Sequence, residues 1–134
     1  MKLYEIAKSW VEKGNPVIPV YYQSKRPIIK WENYQVNLPT DFELKQWFPN
    51  DLRNIALVSG NGLVVIDFDI QDVFDYWYSI YPIKTYMVKT KRGVHVYIRT
   101  KQPTKNYHSK LLDIKAERGY VLIPPSIHPS GYQY

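Results

Sequence analysis

Helical spacing of apolar residues marks three segments of the chain. The first segment contains an apolar stripe and ends at Gly14-Asn15, a pair typical of helix termination. The second is predicted to begin at Thr40, because Glu43 follows three residues later in the spacing of a capping box. In the third, Trp77 and Ile80 are expected to face inward. The predicted helices are Leu3–Lys13, Thr40–Phe48 and Val73–Ile80.

Short runs rich in β-branched and aromatic residues lie around these helices and predict strands. Pro19 confines the first strand to an edge or a bulge, because proline has no N–H to donate to a neighbouring strand. The tight turn Gly60-Asn61-Gly62 predicts a hairpin of the second and third strands, and Lys91-Arg92-Gly93 lies between another strand pair. The predicted strands are Val17–Tyr22, Asn54–Ser59, Leu63–Asp67, Tyr86–Lys89, Val94–Arg99 and Tyr120–Ile123.

This order of elements predicts a mixed α/β (α+β) fold with a largely antiparallel sheet and helices covering one side. A chain of 134 residues is most simply one domain, residues 1–134. No apolar run approaches the roughly 18 residues of a membrane span, and the N-terminus lacks the features of a signal peptide. The absence of cysteine excludes disulfides and thiolate metal sites. We therefore expect a soluble, cytoplasmic protein without a membrane partner.

The charge and the aromatic content point to polyanionic partners. The net charge is +6, and lysine or arginine side chains that neutralise phosphates gain affinity by releasing counterions. Aromatic residues make up 16% of the chain, and 13 of them are tyrosines. Tyrosines beside basic residues, such as Tyr86 and Tyr107, are suited to stacking on nucleic-acid bases. The alternative is that these rings fill the core or cap strand pairs.

Two carboxylates, Asp67 and Asp69, end the apolar run that begins at Gly62. Side chains two residues apart in a strand leave the same face, so each carboxylate raises the cost of ionising the other. A shared Mg²⁺ or Mn²⁺ ion would relieve this repulsion, because hard divalent ions bind oxygen ligands and keep positions open for phosphate oxygens. The alternative is that both acids merely terminate the strand and face water.

Three further segments are ordinary when each is taken alone. His95 alternates with two valines and so faces the other side of its strand, where a histidine is usually a surface or core residue. Asp113 shares a face with Lys115 on the same alternation and would alone be an exposed acid. Residues 124–131, with the sequence PPSIHPSG, would alone be an irregular loop. Their order and spacing along the chain, together with the two aspartates, are what indicate a function.

Taken together, these segments resemble the N-terminal catalytic domain of the bifunctional DNA primase/polymerase (prim-pol) family. This is the archaeo-eukaryotic primase type, found in replication proteins of plasmids, viruses and mobile elements. The resemblance covers nearly the whole sequence, and its last segment is the most specific. The motifs are Lys25-Arg26-Pro27 with Trp31, the Thr40 helix ending in Trp47-Phe48, Asn54–Gly60, Val64–Asp69, Gly93–Tyr97, and Asp113–Lys115 leading into Gly119–Ser126.

The resemblance implies roles for individual residues. Asp67, Asp69 and Asp113 would be the catalytic carboxylates that bind Mg²⁺ or Mn²⁺. His95 would contact the phosphates of the incoming nucleotide, and Lys115 would contact the triphosphate or the template. The family also implies a sheet like that of RNA-recognition motifs, with an additional N-terminal α/β portion. Candidate nucleic-acid contacts are Lys25, Lys89, Lys91, Arg92 and Arg118.

The function implied by the resemblance is that of a DNA-dependent primase/polymerase core. Such a core joins nucleoside triphosphates on a single-stranded DNA template by two-metal nucleotidyl transfer, and a fused or separate helicase is an expected partner. One alternative is a non-catalytic single-stranded nucleic-acid-binding or origin-recognition module that kept the primase fold. Another is a metal-dependent nuclease that uses the same acids.

The chain differs from the usual family pattern at two places. Lys91-Arg92-Gly93 stands where relatives usually have Ser-Gly-Gly, and Arg118-Gly119-Tyr120 stands where they usually have Gly-Gly-Tyr. Both changes add bulk and charge beside the expected nucleotide pocket. Because family members typically continue further, we expect either a fragment truncated at its C-terminus or a minimal standalone version.

Overall fold

The computed structural model describes residues 2–134, and these form three α-helices, one short 3-10 helix and eight strands. Contacts divide the chain into two compact units, one made of Met1–Val58 and Tyr120–Tyr134 and the other of Ser59–Gly119. The helices are α1 (Leu3–Glu12), the 3-10 helix (Glu32–Gln35), α2 (Asp41–Trp47) and α3 (Gln71–Ile80). The strands are β1 (Val17–Val20), β2 (Asn54–Ser59), β3 (Leu63–Phe68), β4 (Met87–Lys89), β5 (Val94–Arg99), β6 (Tyr107–His108), β7 (Leu112–Lys115) and β8 (Gly119–Leu122).

The first unit contains a three-stranded sheet in the order β1-β2-β8, together with α1 and α2. Strand β1 lies at the edge, as the proline in it predicts, and Pro19 pairs with Ile55 of the antiparallel β2. The predicted capping box of α2 is confirmed, because Thr40 Oγ1 accepts from the Glu43 N–H and the Glu43 carboxylate accepts from the Thr40 N–H. The capping-box spacing and the proline therefore predicted the start of α2 and the edge position of β1 correctly.

The second unit contains a five-stranded sheet in the order β4-β5-β3-β7-β6, whose neighbours all pair antiparallel. One face carries an apolar cluster of Phe68, Val94 and Val96, against which Trp77 of α3 packs. The prediction that Ile80 also faces inward is wrong, because this side chain is 50% exposed. Ile80 is the last residue of α3, and the partly buried residues of the helix that pack against the cluster, Val73, Phe74 and Trp77, all precede it.

The predicted hairpin of β2 and β3 is wrong, because the two strands belong to different sheets. Every residue of β2 is buried, and it lies between β1 and β8. The turn Gly60-Asn61-Gly62 has positive φ at all three residues, which redirects the chain after a single bridge between Gly60 and Leu63. Strand β3 instead lies between β5 and β7. These two strands therefore hold the acids in place.

The prediction of a mixed α/β fold is confirmed. Strands β6 and β7 were not among the predicted strands. The single domain over residues 1–134 and the likeness to an RNA-recognition-motif sheet stay predictions. Within residues 2–134, no helix has both the length and the apolar character needed to cross a membrane.

Candidate active site

The candidate site is centred on β3, the middle strand of the five-stranded sheet. Asp67 lies directly opposite His95 on β5 and directly opposite Asp113 on β7. Because directly opposed residues in antiparallel strands project to the same face, the three side chains share one face of the sheet. Asp69 follows two residues after Asp67, just past the end of β3. The pairing of β3 thus brings together residues that are far apart in the sequence.

The three aspartates predicted as metal ligands converge. Each of Asp67, Asp69 and Asp113 offers one carboxylate oxygen, and these oxygens all lie within 4.8 Å of one another. Two oxygens that bind one Mg²⁺ ion at about 2.1 Å are at most about 4.2 Å apart. Ions in two-metal sites lie about 3.5–4 Å apart. After a small side-chain rotation, the three carboxylates could therefore hold one or two such ions. Carboxylate oxygens are also the kind of ligand atom that Mg²⁺ and Mn²⁺ prefer.

Electrostatic repulsion is present within this cluster. Partial burial raises the pKa of Asp69, and the negative charges of Asp67 and Asp113 raise the pKa further. The positive charges of Arg92 and His95 act in the opposite direction, and their effect is smaller. The arrangement therefore favours binding of a cation, which would relieve the repulsion between the carboxylates.

His95 lies beside the first aspartate, on the face that the alternation in β5 predicted. Its Nε2 atom is 3.3 Å from Asp67 Oδ1, and its side chain is only 7% exposed. The flanking Val94 and Val96 point into the apolar cluster on the opposite face. His95 is therefore held at the edge of the carboxylate cluster by strand pairing and by its contact with Asp67. Its expected contact with nucleotide phosphates stays a prediction.

A glycine fixes the turn between β4 and β5 against the strand that carries the acids. A Cβ atom on Gly93 would lie 1.8 Å from the carbonyl oxygen of Phe68, so no larger residue fits without displacing that backbone. The same turn is held by Thr90 Oγ1, which accepts from the Gly93 N–H, and by Lys89 Nζ, which donates to the Gly93 carbonyl. The position of Asp69, the residue after Phe68, thus depends on Gly93.

His108 is a neighbour of the site that sequence reasoning missed. Its Nδ1 atom lies 2.5 Å from Asp113 Oδ1, across the β6–β7 hairpin, while its side chain is 87% exposed. The hairpin turns through Ser109, whose hydroxyl accepts from the N–H groups of Leu111 and Leu112. The available signals were therefore this serine and a histidine five residues before an acid.

Comparison with known proteins agrees with this geometry. The sequence model described as "Bifunctional DNA primase/polymerase, N-terminal" matches residues 7–134. The chain belongs to this family. No curated protein sequence matches it. Membership indicates primase or polymerase activity, which is a nucleotidyl transfer, with DNA and nucleotides as substrates.

The prim-pol motif Pro124-Pro125-Ser126 has a structural role in the first unit. Ser126 is buried, and its hydroxyl accepts from the N–H of Ile55 and donates to the carbonyl of Ile55. The Ile55 carbonyl also accepts from the Ile123 N–H, so the segment that follows β8 satisfies both backbone polar groups of this β2 residue. The Pro124-Pro125-Ser126 segment is thus bound to β2 by hydrogen bonds.

The basic residues predicted to contact nucleic acid are distributed over both units of the prim-pol domain. Lys115 lies on β7, on the same face as Asp113 and two residues from it. Lys91 and Arg92 lie in the β4–β5 turn. The positive charge of Arg92 partly offsets the rise in the pKa of Asp69. Arg118 lies in the β7–β8 turn, and Lys25 belongs to the first unit. Their roles stay predictions.

Proposed function

We propose that this prim-pol domain joins nucleotides on a single-stranded DNA template by two-metal nucleotidyl transfer. The observation that carries the proposal is the convergence of Asp67, Asp69 and Asp113 within 4.8 Å on one face of the sheet. The setting would be replication of a plasmid, a virus or a mobile element. A fused or separate helicase as partner, and a cytoplasmic location, belong to the same proposal.

The three aspartates would hold Mg²⁺ or Mn²⁺ ions. Ions of this kind neutralise charge on the transferred phosphate and align the attacking 3′-hydroxyl with it. Asp67 sits on the central strand between two paired strands, which gives it the most constrained position of the three. Asp69 is exposed and lies past the strand end, so it is the carboxylate most open to an entering nucleotide.

Three cationic or hydrogen-bonding residues lie near these acids and would bind the nucleotide or the template. His95 would donate a hydrogen bond to a phosphate oxygen from the edge of the cluster, since its ring already adjoins Asp67. Lys115 would supply a positive charge on the same face. Arg92, in the β4–β5 turn near Asp69, would bind the triphosphate or the template backbone.

Nucleotide incorporation tests this proposal. The chain is incubated with a primed single-stranded template, labelled nucleotides and Mg²⁺ or Mn²⁺, and the products are separated by length. Asp69→Asn should abolish extension while template binding stays equal or becomes slightly tighter, because a negative charge near phosphate is removed.

The matched control is Asp72→Asn, which removes the same charge from the first turn of α3, three residues further along the chain. This variant should extend primers like the wild type. Extension by Asp69→Asn at the wild-type rate would overturn the metal-ligand assignment. Tight template binding by the wild type without any product would instead support the non-catalytic binding module.

A further inference from the structure

The loop of residues 21–26, here called the tyrosine loop, joins β1 to the segment that follows it. Two adjacent aromatic side chains in it are exposed, Tyr21 by 46% and Tyr22 by 56%. The next cations, Lys25 and Arg26, are exposed as well, and the Arg26 guanidinium lies 5.7 Å from the centre of the Tyr21 ring. Exposed rings beside exposed cations are the elements from which single-stranded nucleic-acid sites are built.

The charge around this loop has one sign. Residues 13–31 contain no Asp or Glu and include four cations, Lys13, Lys25, Arg26 and Lys30. Residues 120–134, which contact the loop, contain no Asp or Glu either. A polyanion that approaches the loop therefore meets no carboxylate from either segment.

The backbone of the tyrosine loop is fixed from beneath by buried and ordered groups. Asn54 is fully buried, and its amide nitrogen donates to the Ser24 carbonyl and to the Ile127 carbonyl. The Tyr120 hydroxyl donates to the next carbonyl, that of Lys25. Because two successive carbonyl groups are held in place, the side chains of the loop project from a rigid support.

Two further contacts complete this support. The Tyr21 N–H donates to the Arg26 carbonyl and closes the loop at its base. The Gln23 side-chain amide donates to the Pro129 carbonyl of the C-terminal segment. A loop that is ordered before binding loses less conformational entropy when it binds a ligand. The tyrosine loop thus combines preorganisation, aromatic faces and positive charge.

We propose that the tyrosine loop is a binding surface for single-stranded nucleic acid, with bases stacked on Tyr21 and Tyr22 and phosphates bound by Lys25 and Arg26. This inference deepens the proposed function and rests on it, since it names a contact surface for the template. Single strands fit better than duplexes, because a tyrosine ring stacks only on a base whose face is open. Stacking on a tyrosine ring uses the face of a base, which all bases have, and does not read the hydrogen-bonding groups at its edge. We therefore expect a weak sequence preference.

The test is the affinity of the full chain for a labelled 20-nucleotide oligothymidine, measured by fluorescence anisotropy without metal or nucleotide. Tyr22→Ala should weaken binding about 5- to 150-fold, the range of one base–aromatic stacking contact. The matched control is Tyr76→Ala, because Tyr76 is 72% exposed but lies on α3 near Asp72 and Asp75. This control should bind like the wild type.

Salt dependence separates the two kinds of contact. The double variant Lys25→Ser/Arg26→Ser should lower the slope of log affinity against log salt by about 1.4, which is about 0.7 for each phosphate that is no longer neutralised. Tyr22→Ala should leave this slope unchanged, because stacking releases no counterions. The control cation is Lys45, which is paired with Asp41 at 3.2 Å, and Lys45→Ser should change the slope much less.

The binding assay keeps this proposal separate from the catalytic one. Asp69→Asn should bind the oligonucleotide at least as well as the wild type, whether or not the aspartates are catalytic. Wild-type affinity in both tyrosine-loop variants would overturn the proposal and would leave the loop as a surface for another macromolecule. An equal reduction of affinity for a blunt duplex in Tyr22→Ala would also overturn it, because stacking on paired bases is excluded.

Discussion

Gly93 and Phe68 are so close that a methyl group on Gly93 would overlap the Phe68 carbonyl oxygen, at a distance of 1.8 Å. Strand β3 and the β4–β5 turn are thus in direct backbone contact immediately before Asp69. The altered family motif Lys91-Arg92-Gly93 keeps its last glycine at this point. The two added side chains leave this contact unchanged, because they precede the glycine.

Gly93→Ala should destabilise the fold by about 3 kcal/mol, the upper end of the usual cost of overpacking, and should weaken Mn²⁺ binding because Asp69 must move with Phe68. Urea denaturation and a Mn²⁺ titration measure the two effects. Gly119→Ala is the control, because its new Cβ would most closely approach a side-chain atom, the Ser59 hydroxyl oxygen at 3.2 Å, whereas that of Gly93 would overlap a backbone oxygen at 1.8 Å. A Gly93→Ala protein as stable as the control would contradict the prediction.

His95→Ala should weaken nucleotide binding by about 1.5–3 kcal/mol, the usual range for a hydrogen bond to a charged group, and should leave Mn²⁺ affinity nearly unchanged. The KM for nucleotide in primer extension and a Mn²⁺ titration check both parts. His95→Gln retains a donor and should recover part of the KM. An unchanged KM together with abolished Mn²⁺ binding would show that His95 acts only through Asp67.

The raised pKa of Asp69 gives a pH dependence with a definite sign. A carboxyl group whose pKa is higher in the folded state than in the unfolded state destabilises the fold once it is ionised. Without metal, the Tm of Asp69→Asn should therefore exceed that of the wild type at pH 7.5. The difference should shrink as the pH falls through the raised pKa toward the ordinary value of 3.8. Added Mn²⁺ should reverse the order at pH 7.5, because it should bind more tightly to the wild type, which keeps all three carboxylates.

Tyr34 provides a second pH-dependent contribution, in the first unit. Burial raises the pKa of Tyr34 to about 12, and its hydroxyl also donates to the Glu43 carboxylate. The unfolded chain loses this proton at about pH 10, so the stabilisation is complete below pH 10 and disappears between pH 10 and 12. Tyr34→Phe should cost about 1.5 kcal/mol at pH 7 in urea denaturation. A cost that persists at pH 12 would contradict this account.

Local signals predicted the elements whose cause is local. The capping box of α2 depends on Thr40 and Glu43, which are three residues apart. The edge position of β1 depends on Pro19, which has no backbone N–H to donate to a second neighbouring strand. The convergence of the three aspartates followed from the motif order of a known family. Periodicity alone placed Asp67 and Asp69 on one face but could not bring Asp113 to it.

Pairing between distant segments was beyond the reach of these signals. The turn at Gly60-Asn61-Gly62 resembles a hairpin turn in composition, yet β3 pairs with β5 and β7 because their apolar faces bury Phe68 together with α3. The same limit explains His108, because Ser109 marks a turn but does not show that His108 pairs with Asp113 across it. Strand pairing depends on which apolar side chains become buried together in the whole unit. The sequence close to each strand does not contain this information.

The start of β3 decides which side of the sheet is acidic. The Gly62 carbonyl accepts from the Thr100 N–H at 2.8 Å, and the α-carbon of Gly62 faces the Thr100 carbonyl so closely that a Cβ would lie 2.8 Å away. Side chains alternate from this anchor, so the fifth residue after it, Asp67, points away from α3 while Phe68 points toward it. One residue inserted between Gly62 and Asp67 would exchange these directions, placing a carboxylate against Trp77 and a phenyl ring among the clustered carboxylates. The parity of a five-residue stretch thus separates an acidic cluster from an apolar layer.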